Sequence, residues 1–333
     1  MPDQIWTERY RPKKLEEVVG QEDIVERLKS YVRTKSLPHL LFSGPAGVGK
    51  TACAVSLARE MFGEEWHGNF TELNASDERG IETVRVSIKN FARTTPVGAA
   101  TFKIIFLDEA DMLTVDAQSA LRRTMERFSS TCRFIFSVNY SSKVIEPIQS
   151  RCTVYRFRPL SNDAVYGRLR FIASREKVEL ADDGLKAITD IAQGDMRVAI
   201  NALQSAAVLG KKVDAGVVYQ TTAAPKPEEI KALIEASMKG DFLGARTKLS
   251  ELIESGLSGG DILQQIHKAI FNLEVPDLVK VEMLEKIGEI DFRLTEGANE
   301  KIQLEALIAF FSIKGAGYKD KLKPEKEQER NHR

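Results

Sequence analysis

The sequence predicts an α/β fold, with a parallel sheet covered by helices on both faces, followed by smaller all-helical domains. Three observations carry this. Short β-prone runs alternate with helical stretches up to about residue 158; one run opens directly into a glycine-rich loop and a helix; and beyond Arg158 only helical periodicity is left. A chain of 333 residues leaves room for two or three domains. The expected bounds are 1–160 for the α/β domain, 161–222 for a small helical domain, 223–316 for a further helical domain and 317–333 for a charged tail.

Taken in order, Ile24, Leu28 and Tyr31 or Val32 recur at helical spacing from Glu22 to about Lys35, and Leu40–Ser43 is a short apolar run that ends at Gly44. Thr51–Phe62, rich in Ala and Leu, reads as the helix after the loop. Phe70–Leu73, Lys103–Leu107, Arg133–Val138 and Thr153–Phe157 read as strands, separated by helical stretches near 81–93 and 114–128. Asn162–Lys177, Asp182–Gln193 and Asp195–Leu209 then each open on Asn or Asp, residues whose side chains accept from the free N–H groups of a helix start. Thr221–Glu229 has two prolines and few large apolar groups, so it reads as a linker before a helical stretch from Glu228 to about Ile313. The tail from residue 317 is charged, has no apolar face and is expected to be disordered.

Lys plus Arg number 48 and Asp plus Glu also number 48, so the formal charge is zero, within the composition of an ordinary globular chain. That argues against a protein that coats nucleic acid with its whole surface, but says nothing of a local basic patch. No apolar run approaches the roughly 18 residues of a membrane span, and the first twelve residues lack the apolar core of a secretory signal. Cys53, Cys132 and Cys152 are far apart and without zinc-ligand spacing; they read as small buried apolar side chains in a reducing cytoplasm.

The sharpest motif is Gly44-Pro45-Ala46-Gly47-Val48-Gly49-Lys50-Thr51, a GxxxxGK[ST] loop between a strand and a helix. Its glycines permit a backbone path whose N–H groups encircle phosphate oxygens, at the positive end of the following helix. Lys50 suits β and γ phosphates and Thr51 suits Mg²⁺. Further on, Asp108 and Glu109 follow a buried strand at the sheet's carboxyl edge, where Asp108 suits the metal and Glu109 the base that polarises water. Phe134–Val138 ends in Asn139, a neutral amide placed to orient that water.

These motifs, with Trp6–Pro12, Val18–Gln21, Leu73–Gly80, Ser150–Cys152 and Gly194–Arg197, resemble the AAA+ ATPases and, within them, the replication factor C small subunits, especially archaeal ones. The resemblance covers about the first 200 residues; Ala46 and Val48 stand where that family usually has Pro and Thr, at variable positions of the loop. It implies ATP and Mg²⁺ as ligands, a helical lid at 161–222 and an oligomerising helical collar at 223–316. By it, Tyr10, Arg11 and Val19 would line the adenine and ribose pocket, Asn139 would be sensor 1, and Arg197, from the lid, would be sensor 2. Arg151 would be an arginine finger acting in trans on a neighbour's ATP, so it implies an arc of subunits.

Between Ile81 and Arg93, Ile81, Val84, Ile88 and Phe91 form one apolar stripe, while Arg85, Lys89 and Arg93 form a basic one. The resemblance places this helix along duplex DNA, with Arg79 added, contacting phosphates rather than bases. Gln303–Phe311 comes near a clamp-binding peptide, but its aromatics fall one place late, and Leu304, Leu307, Ile308 and Phe311 read as a helical core stripe. The resemblance implies a clamp-loader small subunit that uses ATP to open a sliding clamp and load it on primer-template DNA. Its partners would be a large subunit and further small subunits in a hetero-pentamer, with no membrane, in the cytoplasm and at the nucleoid in an archaeon. A branch-migration motor, which would end in a winged helix, and a non-hydrolysing ATP-binding scaffold are the alternatives; the helical stretch after Glu228 disfavours the first, and intact Glu109 and Arg151 the second.

Overall fold

The computed structural model describes residues 5–76, 81–210, 212–222 and 224–330, with side chains except at 81–85 and 317–330. The chain divides into two compact units, Met1–Val218 and Tyr219–Arg333. In the first, α1 (Trp6–Arg9) and α2 (Glu22–Thr34) precede β1 (His39–Ser43), which runs through the glycine loop into α3 (Lys50–Phe62). There follow α4 (Trp66–Asn69), β2 (Phe70–Asn74), α5 (Ile81–Arg93), β3 (Lys103–Asp108), α6 (Val115–Arg127), β4 (Cys132–Val138), α7 (Glu146–Gln149) and β5 (Cys152–Arg156).

The strands form a five-stranded parallel sheet in the order β2-β3-β4-β1-β5. Leu40 and Phe42 of β1, Ile104 and Phe106 of β3 and Ile135 of β4 join the core that contains Leu28 of α2 and Leu57 of α3. Their neighbours Leu41, Ile105, Leu107, Phe134 and Phe136 join a second core with Ile88 of α5 and Leu121 and Met125 of α6. Both faces are therefore covered, which is why these strands read as continuous apolar runs rather than alternating ones. Phe42, Phe106, Phe134 and Phe136 are fully buried, each contributing roughly 1.5–3 kcal/mol.

The strand register fixes where the site lies. Ser43 pairs with Val138 and Asn74 with Asp108, while Gly44 N donates to Val138 O at 3.2 Å. Gly44, Asp108 and Asn139 thus emerge along one carboxyl edge of the sheet, where open α/β sheets place their ligands.

After β5 come α8 (Asn162–Glu176), β6 (Glu179–Leu180), α9 (Asp182–Ala192), α10 (Met196–Leu209), β7 (Lys212–Val213) and α11 (Ala215–Thr222), the first unit ending within α11 at Val218. The parallel pair β6–β7 departs from the expectation of helices alone past Arg158. Strands of two residues are too short to carry a period of two, and of their four residues Val213 alone is buried.

The second unit contains α12 (Pro227–Met238), α13 (Phe242–Glu254), α14 (Gly259–Ile270), α15 (Asp277–Thr295) and α16 (Glu300–Arg330). The expected linker is shorter than its composition suggested: Thr221 and Thr222 end α11, and Pro227 opens α12, where its fixed φ suits the first helical turn. Leu304, Leu307, Ile308 and Phe311 are fully buried against α12–α15 residues such as Leu233, Leu249, Ile266 and Ile287, in agreement with the core reading of that stripe. A Cβ at Gly315 would lie 2.1 Å from Met238 O, so glycine is what lets α16 approach the end of α12 this closely. The backbone of α16 runs as helix through 317–330.

Candidate nucleotide site

A cleft of ≈ 270 Å³ opens at the carboxyl edge of the sheet, lined by Tyr10, Arg11, Val18, Val19, the loop from Ala46 to Thr51, Asp108, Glu109, Asn139 and, from the lid, Arg197. Residues far apart in sequence thus meet because β1, β3 and β4 end side by side and the start of α10 leans over the loop.

Lys50, at the first turn of α3, is buried. Its ammonium donates to Gly44 O and Pro45 O, both at 2.7 Å, and to Asn139 Oδ1 at 3.2 Å, which uses all three of its protons. Gly44 and Pro45 therefore contribute carbonyls to the lysine rather than wall to the cleft. Burial holds the Lys50 pKa below its ordinary value, and Arg197 lowers it further while Asp108, Asp111 and Asp195 oppose the shift. Thr51 Oγ1 donates to Asp108 Oδ2 at 2.8 Å. Two adjacent hard oxygen donors suit Mg²⁺, which takes one or two protein ligands and completes its shell with water and phosphate oxygens. Among the described residues no group of three or more His, Cys, Asp or Glu could hold a metal.

Glu109 adopts φ 52°, a left-handed conformation uncommon for a residue with a side chain. It lies directly after Asp108 on the cleft wall. Asp111 is buried, and its Oδ2 accepts from Asn139 N at 3.3 Å and Tyr140 N at 3.4 Å, fixing the backbone that presents Asn139. Ser137 Oγ, buried and without a partner among the described residues, also borders the cleft, a polar atom that a bound water or ligand would satisfy.

The N-terminal segment is tied to the lid. Tyr10 donates its hydroxyl to Glu176, Arg9 pairs with Glu176 at 2.6 Å and Arg168 donates to Tyr10 O at 2.5 Å. Burial and the bond to Glu176 raise the Tyr10 pKa. Tyr10 and Arg11 both line the cleft.

Two contributors, Gln21 and Arg168, escape sequence reasoning, and a third, Asp195, is legible there only as a cap. Gln21 donates to Val48 O at 3.3 Å and to Arg158 O at 2.8 Å, bracing the loop. Arg168 lines the cleft. Asp195 caps α10, accepting from Arg197 N at 2.7 Å and Val198 N at 3.2 Å, and lies so close to Gly47 that a Cβ there would fall 1.7 Å from Oδ1. Met196 N also donates to Gly47 O at 3.1 Å, joining lid and loop through backbone. The Asp of Gly194–Arg197 was the available signal, since an Asp before a helical stretch is a cap.

Arg151 is not at this cleft. It sits between α7 and β5, half exposed, with its side chain on Glu126 and Pro147. Lys89 and Arg93 are exposed on α5, each next to a buried residue, Ile88 and Ala92; the side chain of Arg85, and Arg79 altogether, lie outside the described residues. No helix among the described residues is long and apolar enough to cross a membrane.

A P-loop and an acidic strand end on a parallel sheet, beneath a helical lid, define an AAA+ ATPase. Residues 40–160 match the ATPase family associated with various cellular activities (AAA), 167–208 the RCF1/5-like AAA+ ATPase lid domain and 225–310 the replication factor C C-terminal domain. The chain is 60% identical over 315 residues to the replication factor C small subunit of Methanocella arvoryzae, covering 94% of this chain and 98% of that protein. It is 57% identical to that of Archaeoglobus fulgidus, covering 93% and 97%. The Thermotoga maritima RuvB Holliday junction branch migration motor has the same fold, with a TM-score of 0.54 at 20% identity over 68% of this chain and 80% of that one. The chain belongs to the replication factor C small subunit family, and is a clamp-loader ATPase subunit of DNA replication.

Proposed function

We propose that this subunit binds ATP to close an arc of clamp-loader subunits, which opens a ring-shaped sliding clamp and grips primer-template DNA, and that hydrolysis then releases the loaded clamp. The observation that carries the reading is the meeting of Lys50, Thr51, Asp108, Glu109, Asn139 and the lid's Arg197 around one cleft.

Lys50 and the loop N–H groups bind the β and γ phosphates. Thr51 and Asp108 hold Mg²⁺, which neutralises charge on the phosphate oxygens when bound. Glu109 polarises the attacking water, Asn139 orients it, and Arg197 reaches the γ-phosphate from the lid. Tyr10, Arg11 and Val19 flank adenine and ribose. Arg151 completes a neighbour's site in trans; its distance from its own cleft supports that reading. Lys89 and Arg93, with Arg85 and Arg79, contact duplex phosphates. The large subunit and further small subunits complete a hetero-pentamer, and hydrolysis is stimulated by DNA and clamp. The proposed domains are residues 1–160, 161–222 and 223–316, with the charged tail at 317–333.

The test is Glu109→Gln in the assembled complex. It keeps ATP-dependent clamp and DNA capture but retains the clamp, because binding is separated from turnover; clamp release at the unsubstituted rate would contradict the cycle.

A further inference from the structure

The side chain of Arg151 is already held. Its backbone N donates to Ile148 O at 3.1 Å, one terminal nitrogen donates to Pro147 O at 2.7 Å, and the other meets Glu126 Oε1 at 2.7 Å. Glu126 lies on α6, 25 residues away in sequence, so this contact joins two elements that no local turn joins. The same Oε1 lies 3.5 Å from Arg122 Nε, one helical turn earlier on α6. One carboxylate therefore serves two guanidinium groups, and the trio keeps a net charge of +1. An incoming phosphate still meets a positive surface. All three side chains are about two-fifths exposed, so the pair contributes little to folding stability. What it does is restrict a long, flexible side chain to one direction.

We propose that Glu126 is a positioning residue for Arg151, fixing the guanidinium in the orientation from which it reaches a neighbouring subunit's nucleotide. This rests on the reading of Arg151 as the finger acting in trans. An unheld arginine must be ordered during each turnover, whereas one already bonded to Glu126 and Pro147 needs no such ordering at the transition state. Glu126 does not line this chain's own cleft, so its removal lowers turnover without changing how ATP binds.

The experiment is a double-mutant cycle in the complex assembled with its large subunit, reading kcat and KM for ATP with primed DNA and clamp present. Glu126→Ala is expected to lower kcat about tenfold, equivalent to about 1.4 kcal/mol, with KM for ATP changed less than about twofold and the thermal midpoint unmoved. Glu126→Gln, which keeps an acceptor oxygen, restores most of that loss. Arg151→Ala lowers kcat further, and adding Glu126→Ala to it changes nothing more, because the positioned group is gone. Undiminished turnover in Glu126→Ala, or losses that multiply in the double variant, would overturn the positioning role while leaving the finger in place. Undiminished turnover in Arg151→Ala would overturn both.

Discussion

The close approach of Gly47 and Asp195 gives the most quantitative prediction. Gly47 adopts φ +68°, and a Cβ there would lie 1.7 Å from Asp195 Oδ1 and 2.0 Å from its Cγ. Gly47→Ala therefore carries the left-handed backbone cost of about 1 kcal/mol, and it also expels the carboxylate from its place at the start of α10. Expulsion removes the bonds to Arg197 N and Val198 N, a cap worth about 1 kcal/mol. The single variant is thus destabilised by about 2 kcal/mol, and Asp195→Ala, which deletes the cap alone, by about 1 kcal/mol. The double variant then loses about 2 kcal/mol rather than the additive sum of about 3, since the cap can be lost only once. Urea unfolding of the four proteins measures this. Additivity to within about 0.3 kcal/mol would refute the idea that the two residues compete for one space. Since Arg197 stands in the same turn, Asp195→Ala also weakens ATP binding, measurable by titration calorimetry.

Two further outcomes are expected. Lys89→Ala with Arg93→Ala lowers DNA affinity of the assembled complex and flattens its salt dependence by about 0.9 for each phosphate no longer neutralised; an unchanged slope would return that face of α5 to ordinary solvated surface. His39 accepts from Phe134 N at 3.0 Å, and burial, reinforced by Arg133, holds its pKa down at about 4 against an ordinary 6.5. The unfolded chain takes up a proton that the folded one refuses, so this contribution is complete above pH 6.5 and is lost as pH falls towards 4. Urea midpoints measured across that window fall less steeply in His39→Asn than in the unsubstituted protein; equal slopes would show that His39 does not set the acid sensitivity.

The parts of the site that sequence makes legible are those written contiguously. The phosphate loop, the Asp108–Glu109 pair and Asn139 each follow a strand whose apolar run is visible, and the parallel order of those strands then aligns them. What sequence conceals are contacts between elements. Tyr10 and Glu176 are 166 residues apart, and neither carries a period or spacing that names the other. Asp195 is legible as a cap but not as the neighbour of Gly47, because that proximity depends on where α10 leans. The pair β6–β7 escapes for a simpler reason, its strands being no longer than one repeat of their own pattern.

On the proposed function, this chain's cleft hydrolyses ATP as part of loading a clamp on DNA. The most direct measurement is the ATPase rate of the complex formed with its large subunit, alone, with primed DNA, with clamp, and with both. The expected rate rises with primed DNA and is highest when clamp is also present. A rate indifferent to both, with ATP still bound, would mean that the site serves a scaffold and not a loader.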